Sequence, residues 1–512
     1  MAFQLSPGVN VTERDLTTIV PAVATTNAAF VGLFNWGPVD KAILIDSEKN
    51  LVKTFGLPDN DNYRYWFSAG NFLGYGNNLT VVRALRNKTG ARNATPGGLT
   101  GASAGAPLFK NEDYFGNASA TAHGPFIARY PGLLGNSLKV EFHGASFGSA
   151  GTSYSSWEYS DEFGLEPGTS ETVASFGGSK DTFNLVVVDR TGLWTGTPNT
   201  VLERFENMSF YEDAYDANGI SRFFRERINE DSSYIFCPQT PSIINATTLV
   251  SGLSAGVNAG QTAQFDQVIF GGLSGEWNPP SLVTYVLSGG KGETAPSTSA
   301  NYLDIAFGDA SASGGYDVFR DPELIDVNLV IGGPEHCPTD TNVSSTVAKM
   351  IKDRITDFRK DCVLFCSAPI DNPSRGETDK LTIAKNYRND IGSSSYVVID
   401  SGYKYMYDIY NDKYRWVPLN GDIAGLCART DVTNDPWWSP AGLNRGQVKG
   451  VVKLAFNPTL TFRDELYKNN INPVVTFPGE GTILYGDKTA QAKPSAFDRI
   501  NVRRLFIVLE KA

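Results

Sequence analysis

Histidine and cysteine are scarce in this chain, at three and five residues of 512. An odd and sparse set of cysteines is not a disulfide framework, so assembly in a reducing cytoplasm is the default. Long apolar runs are missing too. None approaches the ~18 residues of a membrane helix, and no membrane insertion is expected. Met1 to Asp15 has neither a basic start nor an apolar centre, which excludes a signal peptide reading. Basic clusters are also absent. Lys and Arg total 44 against 55 Asp and Glu, a net charge of −11. Without a local basic patch such a surface attracts neither a phosphate backbone nor an anionic membrane, so no nucleic-acid partner is expected.

What is present is a globular composition, 41% hydrophobic and 19% charged. The length fits roughly three or four domains. Phe3 to Val20 alternates loosely around Pro7 and Gly8 and reads as an extended arm. Ala28 to Phe34 is an apolar run that fits a buried strand, closed by Trp36-Gly37-Pro38. Ser47 is placed to cap a short helix. A helix is predicted over Tyr63 to Tyr75 and a strand over Leu79 to Leu85.

After Arg86 the periodicity fades, and residues 87–125 read as a loop excursion. Strands return at Phe126–Tyr130, Leu138–His143 and Phe183–Val188, with a helix at Ser221–Ile228. From Ile325 the pattern sharpens. A strand at Ile325–Ile331 precedes a helix capped by Ser345, with apolar Val347, Met350, Ile351, Ile355 and Phe358 on one face. Cys362–Ser367 is the next strand, which makes a βαβ unit with parallel strands. A helix near Lys380–Arg388 and a strand at Tyr396–Asp400 follow. The alternation from Tyr403 to Ile409, then Asn411-Asp412 and Arg415-Trp416-Val417, predicts a hairpin. Further helices include Arg463–Asn469 and the stretch from Asp498 to Ala512. That last helix stops without a glycine cap, which is expected of a shortened chain.

The expected fold class is therefore a multi-domain α+β protein. Its discontinuous α/β core of βαβ units takes residues 24–86 and 295–512. The mainly β insertion takes 126–294, the reduced loop insertion 87–125, and the arm 1–23.

Candidate chemistry is thin. Gly144-Ala145-Ser146-Phe147-Gly148 has the spacing of a nucleophile elbow, which would make Ser146 the nucleophile of a serine hydrolase. The elbow needs a helix immediately after it. Here Ser, Ala and Gly follow, and only His336 lies downstream as a base. Gly289-Gly290-Lys291-Gly292 lacks the glycine and hydroxyl positions of a phosphate loop, with Tyr285 and Gly292 in their places. Gly332-Gly333 is too far from the next predicted helix to seat an anion tightly. Cys362 and Cys366 on one strand would stand ~13 Å apart, too far to share a metal. With His336 and Cys337 they read as buried thiols and a neighbour. His123 and His143 have no evident partners. Tyr403, Tyr405, Tyr407, Tyr410, Tyr414 and Trp416 could stack bases. With only Lys404, Lys413 and Arg415 nearby, a sheet surface or subunit contact is the better expectation. No catalytic, cofactor-binding or metal-binding residue is assigned.

A resemblance goes further. Ser6-Pro7-Gly8-Val9, Ala28-Ala29-Phe30-Val31-Gly32, Trp36-Gly37-Pro38 and Val81-Val82-Arg83-Ala84 resemble contractile-tail sheath proteins. Tyr130-Pro131-Gly132, Leu134-Gly135-Asn136 and Asp361-Cys362-Val363-Leu364 are similar to the sheath proteins of T4-like myophages. So are Arg415 to Leu419, Asp422 to Asp431, Ser439-Pro440-Ala441-Gly442, Leu484 to Thr489 and Phe497 to Phe506. These motifs run in order along nearly the whole chain.

The resemblance implies a structural, non-enzymatic subunit that needs no cofactor. It forms hexameric rings stacked into a helical sheath around a tail tube, with tube, baseplate and tail terminator proteins as partners. It implies a virion component assembled in the host cytoplasm, which contracts by rigid-body rearrangement of subunits to eject the genome. The contact arm expected on this basis carries Phe3, Leu5, Val9, Val11, Leu16 and Ile19. Two departures follow. Residues 87–125 replace a larger protruding domain, and the family continues beyond Arg503-Arg504-Leu505-Phe506 into a tube-facing portion. A bacterial contractile injection machine remains an alternative source of such a sheath.

Overall fold

The computed structural model describes residues 25–85, 90–96, 108–118, 123–144, 153–175, 181–210, 214–216, 218–238, 243–245, 264–266, 282–308, 314–336 and 346–511. Its centre is a six-stranded sheet drawn from two distant parts of the chain. The first part gives β1 (Ala28–Gly32), β2 (Ala42–Ile45) and β3 (Leu79–Arg83), with helices α1 (Glu48–Phe55) and α2 (Tyr63–Leu73) between the last two. Ser47 caps α1 as expected, its hydroxyl accepting from the Asn50 amide at 3.3 Å.

A second, five-stranded antiparallel sheet is built from β4 (Thr95–Pro96), β5 (Leu138–Gly144), β6 (Thr182–Asp189), β7 (Thr200–Ser209) and β8 (Leu282–Ser288). Its order is β4-β8-β5-β6-β7. Strand β6 is buried at every position. Phe183, Leu185 and Val187 face one apolar cluster, while Val186 and Val188 join Tyr154, Trp157 and Tyr159 in another. That is the two-residue period of a strand covered on both faces. Helix α3 (Phe224–Asp231) packs on the first side through Phe224 and Ile228. The predicted strand Phe126–Tyr130 is shorter than expected, pairing only at Ile127–Ala128.

The chain then returns to the first sheet with β9 (Leu329–Ile331), β10 (Val363–Ser367) and β11 (Val397–Asp400). The full order is β11-β10-β9-β1-β3-β2. All pairs are parallel except β2 with β3. Ala28 stands opposite both Leu329 and Leu79, so the early and late segments meet at the centre of the sheet. Every residue of β1, β9, β10 and β11 is buried, as parallel strands with helices on both faces require. β2 lies at the edge and leaves Leu44 61% exposed.

Between β9 and β10 the predicted helix is present but interrupted. It runs as α-helix over Val347–Ile351, widens to a π-helix over Lys352–Thr356 and closes at Asp357–Arg359. Its N-cap is Thr346, whose hydroxyl accepts from the Lys349 amide at 3.2 Å. The expected cap, Ser345, lies outside the described residues. The π-turn shifts the phase of the buried face. Ile355 and Thr356 turn inward and Phe358 turns outward, 58% exposed against expectation. The strand before it begins at Leu329 rather than Ile325.

Helix α4 (Glu377–Ile391) crosses from β10 to β11. The predicted hairpin follows as β12 (Tyr403–Asp408) and β13 (Lys413–Pro418), with Tyr405 opposite Trp416 and Tyr407 opposite Tyr414. Helices α5 (Asn420–Thr433) and α6 (Ile500–Lys511) complete the layer around the sheet.

Candidate functional site

An α/β sheet holds a ligand, when it holds one, in the crevice at the carboxyl ends of its parallel strands. In this chain the crevice is filled by its own side chains. The amide of Asn420, first residue of α5, donates to the Ser367 hydroxyl at 2.9 Å. The Asn420 side chain donates to the Gly333 carbonyl at 2.6 Å. Ser367 in turn donates to Asp400 Oδ2 at 2.8 Å, and the Gly402 amide donates to Oδ1 at 2.9 Å. Burial pushes the Asp400 carboxyl up to about 8. One strand over, Glu335 accepts from the amides of Val347 and Ala348 and from the Tyr387 hydroxyl. Burial raises it to about 7.

Helix α5 can enter this position because it meets α2 without side chains between them. A Cβ on Gly421 would lie 2.1 Å from the Ser68 carbonyl oxygen. Beside that contact, Lys404 Nζ lies 2.9 Å from both oxygens of buried Asp422 and donates to the Lys449 carbonyl at 3.0 Å. The Tyr75 hydroxyl donates to Asp422 Oδ1 at 3.1 Å and accepts from the Lys449 amide at 2.6 Å. The charged groups here are turned toward each other, which is what a buried ion pair needs to offset desolvation.

A second constellation joins the two large sheets. Arg83 ends β3 and is fully buried. Its guanidinium donates to the carbonyls of Phe34, Gly37 and Pro131 at 3.0, 2.7 and 2.6 Å. Burial lowers its pKa to about 9. Gly132, with φ +155°, follows Pro131, and a Cβ there would sit 2.4 Å from the Asn35 carbonyl oxygen. Where the chain returns, Asn136 and Gly290 exchange two hydrogen bonds of 2.9 and 2.7 Å. Trp36 packs edge-on against Tyr130 and Trp194. These rings line a cleft of about 370 Å³ between α1 and the end of α3.

The residues singled out in the sequence fall as follows. Ser146 and Cys337 lie outside the described residues, as do Phe3, Leu5, Val9, Val11, Leu16 and Ile19. His336 is described and packs beside the Tyr302 ring. His143 is buried against Tyr154, its Nδ1 2.8 Å from the Gly144 carbonyl. Cys362 and Cys366 are buried, and burial pushes the Cys362 thiol up to about 12. Among the described residues no group of three His, Cys, Asp or Glu is placed to hold a metal ion. On the hairpin, Tyr405 stacks on Tyr414 and Trp416, and Lys453 lies over the Tyr405 ring. Arg83, Asp400 and Glu335 were not singled out beforehand. A lone charged residue inside an apolar run was the available signal for Arg83 and Asp400.

The crevice is thus filled by packing, the two sheets are tied through Arg83, and the hairpin leaves Tyr407 and Tyr414 exposed. Comparison with known proteins names the family. The phage tail sheath protein central domain matches residues 327–490. A tail sheath protein of Vibrio phage KVP40 is 32% identical, over 99% of this chain and 86% of that protein. The tail sheath protein of Enterobacteria phage T4 is 31% identical, over 99% of this chain and 85% of that one. A solved structure, the sheath tail protein Lin1278 from Listeria innocua, aligns with a TM-score of 0.48 at 10% identity, covering 95% of this chain and 74% of that one. The chain belongs to the phage tail sheath protein family.

Proposed function

We propose that this subunit polymerises into stacked hexameric rings that form a helical sheath around a phage tail tube. It works by exchanging protein–protein surfaces and has no bond-making centre. The observation that carries this reading is the 32% identity to a tail sheath protein along 99% of the chain. The crevice filled by Asn420, Ser367 and Asp400 supports it, because the usual ligand position of such a sheet is used for packing.

In this reading the chain acts in the virion. Its neighbours are copies of itself, the tube, and the baseplate and terminator proteins at the ends. Residues 24–86 with 295–512 form the core body, 126–294 the inserted body and 87–125 a short excursion. Contraction is a rigid-body shift of subunits between two packings. Phe3, Leu5, Val9, Val11, Leu16 and Ile19 lie on an arm that adds to a neighbour's sheet edge, where unpaired N–H and C=O groups accept a strand. Electron microscopy of the purified full chain tests the proposal. Tubes of regular diameter are expected. A protein that stays monomeric at high concentration, with and without added tube protein, overturns it.

A further inference from the structure

The cleft between α1 and the end of α3 is walled by aromatic rings set at right angles. The Trp194 ring lies 4.9 Å, centroid to centroid, from both Trp36 and Tyr234, with interplanar angles of 89° and 90°. Trp194 is held from behind. Its amide donates to Asp189 Oδ2 at 2.9 Å and its indole N–H to the Leu134 carbonyl at 3.2 Å. Trp36 is 3% exposed, yet its indole N–H has no acceptor among the described residues. That N–H is not sealed in either, so it opens on the cleft Trp36 lines. A buried donor ordinarily has an acceptor.

The charges on the lining differ in their commitments. Arg129 is tied to the Asn229 carbonyl at 3.1 Å and to Glu112 at 3.5 Å, and Asp231 to Arg227 at 2.8 Å. Glu230 is exposed and has no partner among the described residues. It sits in the last turn of α3, where the helix carbonyls also favour a cation. Lys53 is likewise unpaired but stands on the facing α1 wall, so a cation is received on the α3 side. Perpendicular aromatic rings beside a free carboxylate suit an ammonium group.

Such a group stands at the far edge of the same molecule. Ala492-Lys493-Pro494-Ser495-Ala496 is an exposed loop beyond β11. Its base is anchored, since the Ala490 amide donates to the Val397 carbonyl of that strand at 2.8 Å. The Gln491 side chain donates to the Lys493 carbonyl at 2.9 Å and to the Ser495 hydroxyl at 2.5 Å. Lys493 has no acidic partner among the described residues. Pro494 beside it is stiff, its ring fixing φ. Strands β11 and β2 are the two edges of the six-stranded sheet, roughly 24 Å apart at the usual strand spacing. The α1 wall of the cleft follows β2. The loop therefore reaches such a cleft only on a second copy.

We propose that Lys493 and Pro494 of one copy enter this cleft on the next. Lys493 Nζ then lies beside Glu230, Pro494 against the Trp194 and Tyr234 rings, and a loop carbonyl on the Trp36 indole N–H. The contact joins two different surfaces of the chain, so it is head-to-tail. Repeated, such a contact closes a ring or winds a helix. The inference rests on the sheath reading above and names one subunit contact within it.

Charge exchange on the full chain is the first test. Glu230→Lys and Lys493→Glu alter exposed side chains, so the fold is kept. Each alone sets like charges together and is expected to raise the concentration needed for tubes about tenfold. Both changes in one chain restore the pair, and assembly is expected to return to within about threefold of the parent. Sedimentation and electron microscopy read both. The second test is a disulfide between differently tagged copies, Glu230→Cys in one and Lys493→Cys in the other. The four described native cysteines are buried, and each single variant by itself is the control. A cross-link in the mixture alone is expected. Tubes lacking that cross-link, or a double exchange no better than the single ones, overturn the inference and leave the sheath reading intact. A chain that forms no tubes overturns that reading, and the cross-link by itself then decides this contact.

Discussion

Arg83 Nη2 donates to the carbonyl of Pro131 at 2.6 Å, across 48 residues of chain. One buried guanidinium at the end of β3 thus holds the strand of one sheet to the entry of the other. Its other two bonds close the Phe34–Gly37 turn. A subunit that is to shift as one body needs such a tie between its parts.

Removing that tie is expected to be costly. Arg83→Met leaves three buried carbonyls without donors, which should lower stability by about 3–5 kcal/mol. Arg83→Lys keeps a charge but not the planar fork, and should fall between the two. Urea denaturation gives the stability. Limited proteolysis should show new cuts between the two sheets in the methionine variant.

The two buried carboxyls predict a pH dependence. Asp400 is raised to about 8 and Glu335 to about 7, in each case by burial. A carboxyl with a raised folded pKa binds its proton more tightly in the folded state. Its stabilising effect is complete below the unfolded value near 4 and is lost as pH climbs through the folded one. Stability should therefore decline between about pH 5 and about pH 9 on account of these groups. Asp400→Asn cannot ionise. Relative to the parent, its denaturation midpoint should improve steadily across that range, and parallel curves would contradict the assignment.

Gly421→Ala should separate α5 from α2. Its new methyl carbon would meet the Ser68 carbonyl oxygen at 2.1 Å, backbone against side chain. Overpacking of this kind costs about 1–3 kcal/mol. The expected signature in denaturant is a lower midpoint with exchange rising in both helices together.

For Lys404 and Asp422, single and double substitutions should differ in kind. Both side chains are 1% exposed. Lys404→Met alone strands a buried carboxylate, at about 3–5 kcal/mol. Lys404→Met with Asp422→Leu removes both charges and should recover much of that loss. A double-mutant cycle read by urea denaturation measures the difference.

Much of the fold was legible in the sequence, because hydrophobic period and caps act locally. Ala28–Phe34 reads as a buried strand from its composition alone, and Ala28–Gly32 within it is one. Ser47 announces its helix. The hairpin follows from alternation around Asn411-Asp412, but its register, with Tyr405 opposite Trp416 and Tyr407 opposite Tyr414, does not. Phe358 was misread because a π-turn adds a residue within the helix, and nothing in the apolar spacing marks where that happens. The roles of Arg83, Asp400 and Glu335 were not legible. Each depends on a partner dozens of residues away, Pro131, Ser367 and Tyr387 respectively, brought close only by the fold.

The sequence by itself marked many of the strands and helices, though not the strands Ala42–Ile45, Thr200–Ser209 and Leu282–Ser288, together with the chain's acidic character and the run of motifs shared with tail sheath proteins. These are properties of neighbouring residues and of composition, and they survive without any knowledge of contacts. Tertiary structure alone decided that Ala28–Phe30 and Leu329–Ile331 pair side by side and that α5 fills the crevice. Those outcomes depend on packing between elements far apart in the chain, where burial and hydrogen-bond satisfaction are settled jointly rather than residue by residue.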